Sequence, residues 1–272
     1  MLLTPLFLFS ILLFVLGTMV GSFLNVVMMR SIRGENWVKG RSHCDDCGRQ
    51  LSWYENIPLF SYIVLRGHCR TCRKPISISH PVVEFLTGSL FVWWLWGGSF
   101  FFRLTQHPFL YIQPIFWLIV GIILIIIFFA DIRYYIIPDE AVLILTVMTL
   151  LYRVALIASL VMRPIDFGYT LLGTTGCVAF FAALWWFTKG KGMGFGDVKF
   201  MIPFGLLLGW PNMVLGVCLA FVIGAATCIP LVLFGKKKLK NAVPFGPFLV
   251  VSTVVTLVAG SRMLEWYFQL LR

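Results

Sequence analysis

Residues 115–130 form an unbroken apolar run that ends on a carboxylate, Asp131. About twenty such residues, at a helical rise of about 1.5 Å each, span the hydrocarbon core of a bilayer. Several runs of similar character follow or precede it, and none alternates polar with apolar as barrel strands do. Backbone groups in lipid must then be satisfied within helices. Apolar residues make up 60% of the chain and charged residues 12%, more apolar than a soluble core of this size requires. The sequence therefore predicts an all-α polytopic membrane protein with about eight transmembrane helices. The expected spans are 2–29, 82–102, 114–130, 140–161, 165–187, 198–209, 213–234 and 245–270. The segment 198–209 is short for a full crossing and reads equally as a half-helix or a partly buried one. The N-terminal run has no basic leader before it and continues to Met29, so it reads as an uncleaved first span.

Residues 30–80 are different material, polar, rich in Cys, Arg and Gly, and broken by turn residues. They read as the one soluble module, giving a division into 1–29, 30–80 and 81–272. No internal repeat is evident. The net charge of +11 would suggest nucleic acid in a soluble protein, but here the basic residues lie between apolar runs. That pattern sets orientation first and meets anionic lipid second, with no nucleic-acid partner implied. If the 30–80 loop is cytoplasmic, alternation puts the other basic residues inside as well. The exceptions are Arg103, Arg153, Arg163, Arg262 and Arg272.

Acids are few, and most have a structural explanation. Asp139 and Asp166 follow prolines where a helix N-terminus favours an acid, and Glu84 after Pro81 reads the same way. Asp131 and Asp197 do not. They are expected at cytoplasmic ends of spans, Asp131 at a helix C-terminus and Asp197 at an N-terminus, hence at one depth. An intramembrane acid is by default a functional residue. Opposite ends of the helix dipole suit a pair in which one carboxylate is charged, one protonated, and a water lies between. Gly192, Gly194 and Gly196 would leave the backbone before Asp197 free to take unusual φ and to approach a substrate strand closely. Lys199 would lie near that carboxylate or reach the headgroups. The bland alternative is a buried acid bonded to Lys or Arg.

Cys44-Asp-Asp-Cys47 and Cys69-Arg-Thr-Cys72 are paired CxxC knuckles, the spacing of a closed tetrahedral zinc site. A reducing cytoplasm argues against disulfides there. His43 and His68 adjoin the ligands and are read as loop residues. Such a metal would staple the loop and not catalyse.

Together these residues resemble the type IV prepilin peptidases, bifunctional leader peptidase and N-methyltransferase enzymes of pilus and type II secretion systems. The resemblance runs along nearly the whole chain. It rests on Gly21-Ser-Phe-Leu-Asn-Val-Val, the CxxC pair, Pro81 to Glu84 with Leu86-Thr-Gly88, Asp131 with Ile137-Pro-Asp139, Gly192 to Lys199, and Pro244-Phe-Gly-Pro-Phe248. A GxGD motif alone would also fit presenilin-like proteases. The resemblance implies a GxGD aspartic protease with Asp131 and Asp197 catalytic and Gly194, Gly196 and Lys199 supporting. Prepilins or pseudopilins would be cut on the cytoplasmic face of a bacterial inner membrane, and the new N-terminus methylated from S-adenosylmethionine. Glu84 and residues 30–80 with 21–30 are the candidate methyl-donor region. The chain departs from the familiar pattern after Lys199, where Phe-Met-Ile-Pro-Phe-Gly replaces a Leu- and Ala-rich stretch. Two other readings remain at this point: a peptidase without methylation, and a zinc-stapled membrane scaffold or transporter component.

Overall fold

The computed structural model describes residues 3–36, 40–98, 104, 107–233 and 243–270. Lys39, Arg103, Arg272 and the Lys236 to Lys240 cluster, which entered the charge argument, lie outside the described residues. Among those described, nine α-helices and one 3₁₀ turn account for the regular structure, with no strand beyond isolated bridges. The chain forms two compact units, residues 1–129 and 130–272.

The first unit begins with α1 (Leu3–Arg33), whose last turn carries Arg30 and Arg33, cations suited to the negative end of the helix dipole. A polar segment follows with η1 (Trp53–Asn56) and the single turn α2 (Phe60–Val64), then α3 (Ser79–Gly97). Helix α1 packs on α3 through small residues. A Cβ on Gly17 would lie 2.8 Å from the Gly88 Cα, and one on Gly21 would lie 2.7 Å from the Glu84 Cα. Glycines four residues apart let the two backbones approach closely enough for dispersion contacts to hold them in lipid. Asn25 Nδ2 donates to the His80 carbonyl oxygen at 3.1 Å, supplying the partner that an Asn at this depth needs. Helix α4 (Phe109–Tyr134) packs its first part on α3, with Trp94 Nε1 donating to the Pro114 carbonyl and Gly121 lying against Leu90. Its last five residues belong to the second unit.

The second unit holds α5 (Asp139–Ala158), α6 (Pro164–Phe187), α7 (Phe195–Leu208), α8 (Asn212–Leu233) and α9 (Gly246–Leu270). Helix α7 is its centre, touching α5, α6, α8 and α9. Its fourteen residues span about 21 Å, against about 30 Å of hydrocarbon. Ten of them are buried, from Asp197 and Val198 through Leu208. A helix apolar on every side is one enclosed by protein, and the surrounding longer helices supply that enclosure. Gly205 makes this possible, since a Cβ there would fall 2.5 Å from Thr174 Oγ1 on α6.

Six helices are long and apolar enough to cross a membrane: α1, α4, α5, α6, α8 and α9. The other two spans expected from sequence are α3 and α7. Helix α3 dilutes its apolar stretch with His80 and Glu84, and α7 is too short.

Candidate active site

Asp131 lies in the last turn of α4 and Asp197 in the first turn of α7, both buried. Asp131 Oδ2 accepts the backbone N–H of Gly246 at 2.9 Å. Gly246 is the first residue of α9, and the first N–H groups of any helix have no partner inside it. Asp131 therefore occupies an anion site at a helix N-terminus, supplied by a residue 115 positions away. The contact demands glycine, because a Cβ on residue 246 would lie 2.6 Å from Asp131 Oδ2.

Asp197 is the third residue of α7 after the N-cap Gly194. Its backbone N–H donates to the Gly194 carbonyl at 3.2 Å, and its Oδ2 lies beside Gly194, 3.6 Å from where a Cβ there would stand. The carboxylate thus sits at the helix entrance, the end that favours an acid. Ile137, just before α5, joins the two sites. It packs against Gly246 on one side and Gly196 on the other, where added Cβ atoms would lie 3.2 Å and 3.1 Å from its side chain. The C-terminal turn of α4 and the N-termini of α5, α7 and α9 thus converge. Asp131 and Asp197 come close enough for the charge of one to act on the other. Neither has an ion-pair partner among the described residues.

The glycines act differently from the sequence expectation. None of Gly192, Gly194 and Gly196 takes a left-handed φ; Gly196 matters because it admits Ile137. Lys199 is not beside Asp197. Its Nζ donates to both carboxylate oxygens of Asp139, at 2.7 Å and 2.9 Å, and lies 5.3 Å from the Phe195 ring centroid. Asp139 opens α5 as the predicted first-turn acid without capping it, and Asp166 does the same on α6 while paired with Arg163.

Sequence reasoning missed Arg153 and gave no role to Gly246. Arg153, on α5, sends Nε to the Leu206 carbonyl at 2.9 Å and Nη2 to the Leu207 carbonyl at 3.1 Å. These are orphan acceptors at the C-terminus of α7, which ends inside the protein at Gly209 with φ +72. A half-buried cation at the negative end of the dipole fixes the helix that carries Asp197. The available signal was a lone arginine within an apolar run.

In the first unit, Cys44, Cys47, Cys69 and Cys72 bring their sulfurs within 4.8 Å of one another. The Cys44 and Cys72 sulfurs are 3.9 Å apart and unbonded. A tetrahedron with Zn–S bonds of about 2.3 Å has edges of about 3.8 Å, so the donor set fits that ion. Residues 41–52 and 66–77 turn out to be two copies of one knuckle, contrary to the reading of no repeat. Arg, His, Cys, Cys and Ser recur at matching places. Cys44 N–H bonds the Arg49 carbonyl as Cys69 N–H bonds the Lys74 carbonyl. Gly48 and Arg73 hold equivalent left-handed positions, at φ 69 and φ 54. Backbone N–H groups of Cys72 and Thr71 draw the Cys69 thiol below its ordinary value. His43 and His68 turn Nδ1 to the carbonyls of Arg41 and Arg66 and stand outside the four-sulfur cluster.

Glu84 departs from the capping reading because α3 begins at Ser79, two residues before Pro81, leaving Glu84 in the second turn. It is buried, and its Oε2 accepts the Leu59 N–H at 2.7 Å, with the Ser22 hydroxyl also on the carboxylate.

Comparison with known proteins agrees along the chain. Residues 15–97 match the bacterial peptidase A24 N-terminal domain, and residues 118–229 match the type IV leader peptidase family. A protein of Stutzerimonas stutzeri called prepilin leader peptidase/N-methyltransferase is 30% identical, over 95% of this chain and 93% of its own length. Proteins of the same description from Legionella pneumophila and Aeromonas hydrophila are 31% and 29% identical, over 84% and 94% of this chain and 75% and 92% of their own. No solved structure matches.

Proposed function

The chain belongs to the type IV leader peptidase family, and from that premise we propose that Asp131 and Asp197 are its catalytic pair. The protein is a membrane aspartic peptidase that removes the leader of prepilins and N-methylates the new amino terminus. One observation carries the catalytic assignment. Two buried carboxylates meet at converging helix ends within each other's field, while the neighbouring Lys199 is committed to Asp139.

Two carboxylates this placed share one proton, and the pair titrates as a unit. The ionised member takes a proton from a water between them as its oxygen attacks the scissile carbonyl carbon. The protonated member gives its proton to the carbonyl oxygen, forming a tetrahedral diol. Collapse of the diol breaks the C–N bond and returns a proton to the leaving amine. Gly246 and the Gly194 turn hold the two side chains so that little reorganisation accompanies the step. The substrate helix already lies in lipid, so its junction with the basic leader arrives at the membrane surface. We assign the site to the cytoplasmic face of the bacterial inner membrane, with prepilins and pseudopilins as substrates.

We assign residues 30–80, with 21–30, to methyl transfer from S-adenosylmethionine. That cofactor supplies an electrophilic methyl group to the amine. Glu84 supports this region by holding the Leu59 turn. Cys44, Cys47, Cys69 and Cys72 would hold zinc, which would stabilise the loop and not take part in the chemistry.

The test incubates detergent-solubilised protein with a prepilin and S-adenosylmethionine and reads intact mass. The expected product lacks the leader and has gained one methyl group. Leader loss without a methyl gain would reduce the protein to a peptidase, and an unchanged prepilin would remove both activities.

A further inference from the structure

The polar segment between α1 and α3 is not polar throughout. Residues 53–64, which fold as η1 and α2, turn large apolar side chains outward: Trp53 is 77% exposed, Phe60 60%, Ile63 71% and Val64 61%. Tyr54 and Ile57 add to this surface, and η1 packs on α2, so the side chains share one neighbourhood. An apolar cluster of this size on an otherwise charged module marks a contact surface. Its edge is basic. Arg70 donates Nη1 to the Tyr54 hydroxyl at 2.7 Å and lies 5.8 Å above the Tyr54 ring, and Arg66 is exposed just after α2.

The depth of this surface is fixed by a buried contact. Leu59, between η1 and α2, gives its backbone N–H to Glu84. Glu84 is the sixth residue of α3, about 7 Å along the helix from its start. It also lies against Gly21 of α1, beyond the point where both helices have become apolar. The turn at Leu59 is thus drawn down to the level of the membrane boundary, with the exposed apolar side chains around it. Aromatic and aliphatic groups beside arginines, at that depth, have the composition of an interfacial element.

We propose that residues 53–64 insert into the headgroup and upper acyl region of an anionic leaflet. Trp53, Phe60, Ile63 and Val64 enter the acyl layer, while Arg66 and Arg70 meet lipid phosphates. The occupant is the bilayer, because the segment is tethered at one end to α1, which is long and apolar enough to cross a membrane, and at the other to α3 packed along it, and its basic rim matches anionic headgroups. The metal-binding knuckles on either side would then be held flat against the membrane.

The experiment uses the full chain in nanodiscs of phosphatidylglycerol and phosphatidylethanolamine, with p-benzoylphenylalanine replacing Phe60, Ile63 or, as a control, exposed Gln50. After irradiation, intact mass should show lipid adducts from positions 60 and 63 and none above background from 50. Arg66→Gln with Arg70→Gln should lower the phosphatidylglycerol share of those adducts. Absence of lipid adducts at 60 and 63 would overturn the proposal. So would their replacement by adducts to added prepilin or to a second copy, which would make the surface a protein dock. A second measurement avoids any unnatural residue: quenching by brominated lipid should be weaker in Trp53→Phe than in the wild type, and equal quenching would contradict the insertion.

Discussion

Asp131 shows how one residue acquires a function from a distant backbone. Its Oδ2 is held by the first N–H of α9, and only glycine at 246 leaves room for it. In Gly246→Ala the new methyl group would press on the carboxylate and move it, and a displacement near 1 Å in a catalytic group costs about a hundredfold in rate. Prepilin cleavage should fall by about that factor while the detergent-solubilised protein elutes and melts much as the wild type does. A cleavage rate within a few fold of wild type would show that Asp131 is not held through Gly246. Glu55 gives a second residue-scale test, in the four-cysteine loop. Burial pushes its carboxyl up, but the Arg49 guanidinium at 2.6 Å and the Ser52 N–H at 2.8 Å outweigh this and hold it below the ordinary range. A depressed carboxylate stabilises above its unfolded pKa and loses that contribution as pH falls through its folded value. Glu55→Gln should therefore weaken the loop by about 2 kcal/mol at neutral pH. The gap from wild type should close in acid, as read by protease cleavage within residues 40–77. A gap independent of pH would mean the carboxylate charge is not what Glu55 contributes.

At the scale of elements, α7 is held at both ends, by the Asp197 turn at its start and by Arg153 at its finish. Arg153→Met leaves the Leu206 and Leu207 carbonyls without donors in a buried place, at a cost of about 2–4 kcal/mol in total. We expect a lower melting temperature and a loss of cleavage larger than the loss of folded protein, partly restored by Arg153→Lys. A variant that melts normally and cleaves normally would remove Arg153 from the account. The shortness of α7 was legible in the sequence, and partial burial was one of its two readings, but the extent of its enclosure was not. Hydropathy reports that a residue avoids water, and lipid and protein interior satisfy it equally. Small side chains such as Gly205 and Thr174 make the enclosure possible, and their partners are set by tertiary packing. The two knuckles tell the same story. Their CxxC pairs stood out, yet the twelve-residue duplication was missed because only Arg, His, Cys, Cys and Ser recur while every intervening side chain changes.

Across the whole molecule, composition alone revealed a membrane bundle with one polar insertion, and the two carboxylates were conspicuous because acids are expensive among apolar helices. Gly246 and Ile137 stand in motifs that carried the resemblance, but their part in bringing Asp131 and Asp197 into one place was not legible, because neither is chemically unusual. Their importance lies in distances that no linear spacing encodes. The chain carries two activities, and the packing places the four-cysteine cluster in residues 1–129 and both aspartates in 130–272. Removing the metal with a chelator should accordingly expose residues 40–77 to protease while leaving the aspartate site formed. The central claim is that one water is activated between Asp131 and Asp197, and the most direct measurement compares Asp131→Asn, Asp197→Asn and the double variant. Each is supplied with prepilin and, separately, with an already cleaved pilin and S-adenosylmethionine. Either single change should abolish cleavage, the double should be no worse than either alone, and methylation of the cleaved pilin should persist in all three. Cleavage retained in either single variant, with the protein folded, would contradict that claim.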